Sequence, residues 1–210
     1  MLLAAVWVPA ADNADEDPPS YDFYGLPVVE TNTVFLLDYS GSMRGDRIRQ
    51  LRKEMASVLE GMGEKRRFGI ILFTGLGTLR YPLKGLAPAD KRRKQRALKF
   101  LKRPPNGKTP MLKAFRDVST RLVEKAATPE QRVDAIYLLS DGEASDAKPE
   151  ALLKEVDRMN RKAGVIIHSI SIGTKSETLA ELARMHSGRH KTVKAKPPAE
   201  RPWGPILKRH

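Results

Sequence analysis

The sequence predicts an α/β domain built on a doubly wound, Rossmann-like sheet. The sheet should be mainly parallel, flanked by helices, with one antiparallel edge strand. Three observations predict it. Val34–Leu37 is continuously apolar, as strands covered on both faces are, and Phe68–Phe73, Val133–Leu139 and Val165–Ile172 read as three further buried strands. Helical stretches of ten or more residues alternate with these runs, which implies βαβ units. One further run, Thr78–Leu83, follows its neighbour after a short turn holding Gly75 and Gly77, and so reads as the edge strand.

Taken in order, residues 1–30 read as a signal-like leader and an acidic linker. The apolar stretch Leu2–Val8 is short and has no basic residues before it, although Val8-Pro9-Ala10 resembles a cleavage site. An export signal and a disordered leader both fit, so the compartment stays open between exported, cell-envelope and cytoplasmic. Asp12–Ser20, rich in Asp, Glu and Pro, is expected to be a mobile linker. The globular domain should occupy residues 31–194. After Val34–Leu37, Leu51, Met55, Val58, Leu59 and Met62 mark one face of a helix over Ile48–Met62, closed by Gly61 or Gly63. Phe68–Phe73 and the edge run follow. Asp90–Lys102 is a very basic helix, and Pro110–Ala126 a helix with Pro110 in its first turn. Val133–Leu139, a helix over Pro149–Arg161, Val165–Ile172, a helix over Glu177–His186 and a short strand at Lys191–Val193 complete the domain. Residues 195–210 form a basic, Pro-containing tail.

Composition removes several classes. The 210 residues suffice for one domain with a sizeable core. No apolar run is long enough to span a bilayer as a helix. Without cysteine there are no disulfides and no thiolate metal sites. Of the four histidines, His186 and His190 are close in sequence, but Gly188 between them should end a helix and leave both at the surface. The net charge of +13 is uneven. Residues 1–30 hold six acidic and no basic residues, so the remainder sets 38 basic against 19 acidic residues, +19. Such a body favours acidic partners without choosing among protein, nucleic acid and anionic membrane.

In a doubly wound sheet, ligands bind beyond the carboxyl ends of the strands. Two polar motifs fall there. "DYSGS" follows the first strand with Asp38, Ser40 and Ser42; "SDG" follows the third with Asp141; "NGKTP" adds Thr109 from a loop. All five offer oxygen, the donor that hard cations take, and Gly41 lets the first loop turn tightly. Helix capping by the aspartates is the plainer reading of any one position. Together the five residues resemble the metal-ion-dependent adhesion site of von Willebrand factor type A domains, a likeness that covers about residues 31–194. The resemblance implies that Ser40, Ser42 and Thr109 offer hydroxyl oxygens to Mg²⁺ or Mn²⁺. It places Asp38 and Asp141 close by, often acting through water, and leaves one coordination position for an acidic residue of a protein partner. It implies a binding module without catalysis. Lys108, before Thr109, departs from the family's commonest pattern, where a second glycine stands there.

Two other motifs compete for the same residues. Gly107-Lys108-Thr109 matches the end of a phosphate-binding loop, but Lys102 stands where that loop needs glycine and no strand precedes it. "LLD" followed later by "SDGE" suggests a haloacid-dehalogenase phosphatase, but Ser40 occupies the position of its general acid. Eight basic residues lie between Lys91 and Arg103. Arg92, Arg93, Lys94 and Arg96 on this helix, with Lys108, are candidate partner contacts. The alternative function is a polyanion or nucleic-acid binder using helix 91–103 and the tail, the metal site being structural. Against nucleic acid, only Phe100 is interleaved with the charges of the helix. Oligomeric state and partner identity are not legible.

Overall fold

The computed structural model describes residues 21–123 and 128–194. Its strands are β1 (Asp22–Phe23), β2 (Leu26–Pro27), β3 (Asn32–Asp38), β4 (Arg67–Thr74), β5 (Gly77–Tyr81), β6 (Ala87–Pro88), β7 (Ala135–Ser140), β8 (Ile166–Ile172) and β9 (His190–Val193). The α-helices are α1 (Asp46–Gly61), α2 (Lys91–Phe100), α3 (Met111–Val118), α4 (Pro149–Asn160) and α5 (Glu177–Met185). β1 and β2 form a small antiparallel ribbon. The main sheet runs β5-β4-β3-β7-β8-β9, with β6 added to β4. Its inner pairs are parallel, and β5 and β6 pair antiparallel with β4.

Strand alternation explains the uninterrupted apolar runs. In β3, Phe35 and Leu37 face one layer with α1, α2 and the β1–β2 ribbon, while Val34 and Leu36 face the other with α3, α4 and α5. Every residue of β3 and β7 is buried, and from Val34 and from Ala135 onward both strands present apolar side chains to both faces until they reach the site. There the pattern breaks at Asp38 and Ser140.

The structure departs from the sequence reading in three places. Residues 21–30, grouped there with the leader and linker, belong to the folded body. Tyr21, Phe23, Tyr24, Leu26 and Val28 are buried, with the Phe23 ring 5.4 Å from that of Phe35 and 6.3 Å from that of Tyr137. The segment is only two short strands, too brief to show a period. The helix expected over Pro110–Ala126 begins at Met111 with Pro110 as its N-cap; it leaves the α form after Val118 and continues as a π turn over Ser119–Val123. Residues 124–127 lie outside the described residues, as do the Asp12–Ser20 linker and the tail from Ala195. His186 is buried rather than at the surface. Its helix ends where Gly188 passes so close to Ile167 that a Cβ would lie 1.9 Å from the carbonyl oxygen.

Candidate functional site

β3 and β7 are neighbours, with Leu37 opposite Leu139, so their carboxyl ends release Asp38 and Asp141 side by side. Asp38 is fully buried. Its Oδ1 accepts from the Ser40 amide at 2.8 Å and its Oδ2 from the Ser140 hydroxyl at 2.6 Å. The hydroxyls of Ser40 and Ser42 lie 2.9 Å apart, and Ser42 Oγ donates to Asp141 Oδ1 at 2.8 Å. A continuous chain of oxygens therefore links Asp141, Ser42 and Ser40, with Asp38 tied to its end. Burial pushes the Asp38 carboxyl up from its ordinary value; hydrogen bonds from Ser140 and Ser40 pull it back, and the Asp141 charge adds to the rise.

Thr109 comes from the loop between α2 and α3. That loop is stitched to the same end of the sheet by its backbone. Gly41 N donates to Gly107 O at 2.8 Å, Asn106 N to Tyr39 O at 2.7 Å and Gly75 N to Asn106 O at 2.9 Å. The Thr109 carbonyl accepts from Ser145 N at 2.8 Å, and the Asp146 carboxylate caps α3 by accepting from Leu112 N and Lys113 N at 3.1 and 2.9 Å. The structure thus brings together the three segments that carry the five candidate residues.

Capping does not account for the aspartates. The N-caps of the helices that follow are Gly45 for α1 and Lys148 for α4, so neither Asp38 nor Asp141 closes an α-helix. Among the described residues no group of three or more His, Asp and Glu is gathered for a metal. The donor set here is instead two carboxylates and neighbouring hydroxyls, which is hard oxygen chemistry. Two buried, adjacent carboxylates, one held up by burial, fit a cation better than they fit solvent.

The basic helix is elsewhere. α1 starts beside Ser42 and its 16 residues carry the chain away from the site, roughly 24 Å at 1.5 Å per residue. Lys94 sits at the far end of α1, donating to Glu60 O at 3.3 Å and to Met62 O, and so caps that helix rather than standing free. Arg93 pairs with Asp90 at 2.5 Å. Arg92 and Arg93 lie in the same first turn of α2, and Arg96 is one turn on; all three are exposed. Of the candidate partner contacts only Lys108, exposed between Gly107 and Thr109, adjoins the site.

Two residues at the site escaped the sequence reading. Ser140 could have been found, because it is polar at the end of an apolar strand directly before Asp141. Arg47 could not, because nothing local distinguishes it from the other basic residues of α1. Its Nη1 bonds Asp141 Oδ2 and donates to Ser42 O at 3.2 Å.

A family model described as von Willebrand factor type A domain matches residues 31–192. Inter-alpha-trypsin inhibitor heavy chain H3 of Mesocricetus auratus is 31% identical over 137 residues, which is 63% of this chain and 15% of that protein. The chain therefore spans about a seventh of the length of such relatives. The pilus adhesin SpaC from Lactobacillus rhamnosus GG shares the fold with a TM-score of 0.64, at 16% identity over 79% of this chain and 29% of that one. Manganese-loaded TRAP from Plasmodium vivax does so with a TM-score of 0.61, at 18% identity over 79% of this chain and 68% of that one.

Proposed function

The chain belongs to the von Willebrand factor type A family, and from that premise we propose that it is a protein-interaction module whose hold on its partner depends on a divalent cation, Mg²⁺ or Mn²⁺. Asp38, Ser40, Ser42, Thr109 and Asp141 would hold the ion. The observation that carries the reading is the oxygen chain from Asp141 through Ser42 and Ser40 to Asp38, at the ends of two adjacent parallel strands. An adhesin and a manganese-loaded protein among the structural relatives support it.

When bound, the ion supplies an electrophilic acceptor for a carboxylate of the partner. The chain's own residues do the rest. Ser140 holds one oxygen of Asp38, and the Ser40 amide holds the other, so this carboxylate has one orientation. Ser40 and Ser42 turn their hydroxyls toward each other on a loop fixed through Gly41. Neutral hydroxyls outnumber the carboxylates in this set, so the site's negative charge does not exceed that of the ion. An acidic partner is therefore still attracted.

The test is capture of partners on immobilised protein with Mg²⁺ and again with chelator, at constant salt. Partners held through the site leave with chelator. Binding that ignores chelator and collapses steeply with salt would sink this reading in favour of the basic surface of α2.

A further inference from the structure

We propose that Arg47 is a resident cation of this site, competing with the divalent ion for Asp141 and thereby setting how tightly the ion is held. The inference rests on the metal reading above and adds a residue that reading does not use. α1 begins directly after the loop bearing Ser42, so its first turn carries Arg47 back over that loop. The guanidinium bonds Asp141 Oδ2 and the Ser42 carbonyl, while Ser42 Oγ takes Asp141 Oδ1. Both oxygens of Asp141 are thus satisfied by the chain itself. The Asp141 side chain is only 1% exposed but that of Arg47 is 34% exposed, so the guanidinium shields the carboxylate while its stem has room to swing away.

The other charges nearby do not cancel this arrangement. Asp46, next to Arg47, is engaged by Arg49. Arg44 is turned aside to the Pro105 carbonyl at 3.2 Å. Asp38 and Asp141 with Arg47 sum to one net negative charge rather than two, and Lys108, exposed on the adjoining loop, adds to the positive side. A divalent ion arriving there must displace or tolerate a unit positive charge bonded to one of its own candidate ligands. The same charge makes the loaded site more attractive to an anionic partner. Arg47 would trade ion affinity for partner affinity.

The test is calorimetric titration of the full chain with Mn²⁺ at low salt, for wild type, Arg47→Gln and Arg47→Lys. Arg47→Gln should bind Mn²⁺ on the order of tenfold more tightly, and Arg47→Lys within about twofold of wild type, since it keeps the charge. Thermal unfolding in chelator gives a second readout. Arg47→Gln should melt below wild type, because Asp141 loses its counter-charge, and should gain more than wild type on saturation with Mn²⁺. Arg47→Met, which keeps the aliphatic stem, repeats both measurements should the glutamine variant not fold. If wild type binds Mn²⁺ and the neutral variants bind it equally or more weakly, the competition is overturned while the metal site stands. If no form binds Mn²⁺, the metal reading fails, and this inference with it.

Discussion

Gly75 and Gly107 meet backbone to backbone, so closely that a Cβ on Gly107 would lie 2.4 Å from the Gly75 Cα. Gly107 also has φ +72, where side chains are strained. This contact seats the Thr109 loop against the end of β4, and no side chain can be inserted there without moving one of the two segments. Gly107→Ala should therefore lower stability by about 1–3 kcal/mol and weaken Mn²⁺ binding together, read by urea unfolding and calorimetry. A variant with unchanged midpoint and affinity would show that the loop is held by other means.

Asp38→Asn keeps the shape of a fully buried side chain and removes its charge. It should abolish Mn²⁺ binding while circular dichroism and cooperative unfolding persist. Retained affinity in a folded Asp38→Asn protein would remove this residue from the metal set.

Ser140→Ala strips Asp38 Oδ2 of its donor. Leaving a buried acceptor unpaired destabilises by about 1–3 kcal/mol. The loss should be larger in chelator than in saturating Mn²⁺, because an ion can take over part of the donor's role. Equal losses in both conditions would mean that Ser140 acts only on the fold.

His186 predicts a pH dependence. Burial lowers its pKa below 6.5, with the Asp157 charge opposing. Asn160 is oriented by two hydrogen bonds with Val165, so its Nδ2 donates to His186 Nδ1 at 3.1 Å. A proton on Nδ1 breaks that bond. The unfolded chain thus binds the proton at higher pH than the folded one. The associated stability is complete above the ordinary value and is lost as pH falls from there toward the depressed folded value. Urea midpoints between pH 7.5 and 5 should fall, and His186→Gln should flatten the fall over that window; an unchanged slope would exclude His186 as its source.

The two charge systems should separate in kinetics. Thr109→Ala should hasten dissociation of a metal-bridged partner. Neutralising Arg92, Arg93 and Arg96 together should at most slow association, in a salt-dependent way, because they lie far from the site. Lys94 is left out of this set, since it holds the carbonyl end of α1. Surface plasmon resonance gives both rates. Faster dissociation in the α2 variant would place the partner on that helix.

Much of this was legible in the sequence because β3, β4 and β7 are buried on both faces and read as largely apolar runs, while β8 keeps enough isoleucine among its buried His168, Ser169 and Ser171 to read as a strand. Asp38 and Asp141 stood out as carboxylates ending such runs. The link between Thr109 and them was less accessible, since it runs through backbone bonds such as Gly41 to Gly107, which leave no pattern in residue types. Arg47 was hidden for a related reason. Many basic residues share its surroundings in sequence, and only the fold selects the one whose reach ends on Asp141. The position of α2 was hidden too, because composition reports how basic a helix is but not which end of the sheet it borders.

The β1–β2 ribbon carries a practical consequence for anyone dissecting the chain. Family similarity begins at Thr31, yet Tyr137 Oη donates to the carbonyl of Pro27 at 2.6 Å and packs against Phe23. A protein trimmed to the similarity boundary would strip one wall from the layer that holds Phe35 and Tyr137, leaving aromatic surface open to water and to self-association. Among the described residues, packing against the body reaches back at least to Tyr21, ten residues before the similarity begins.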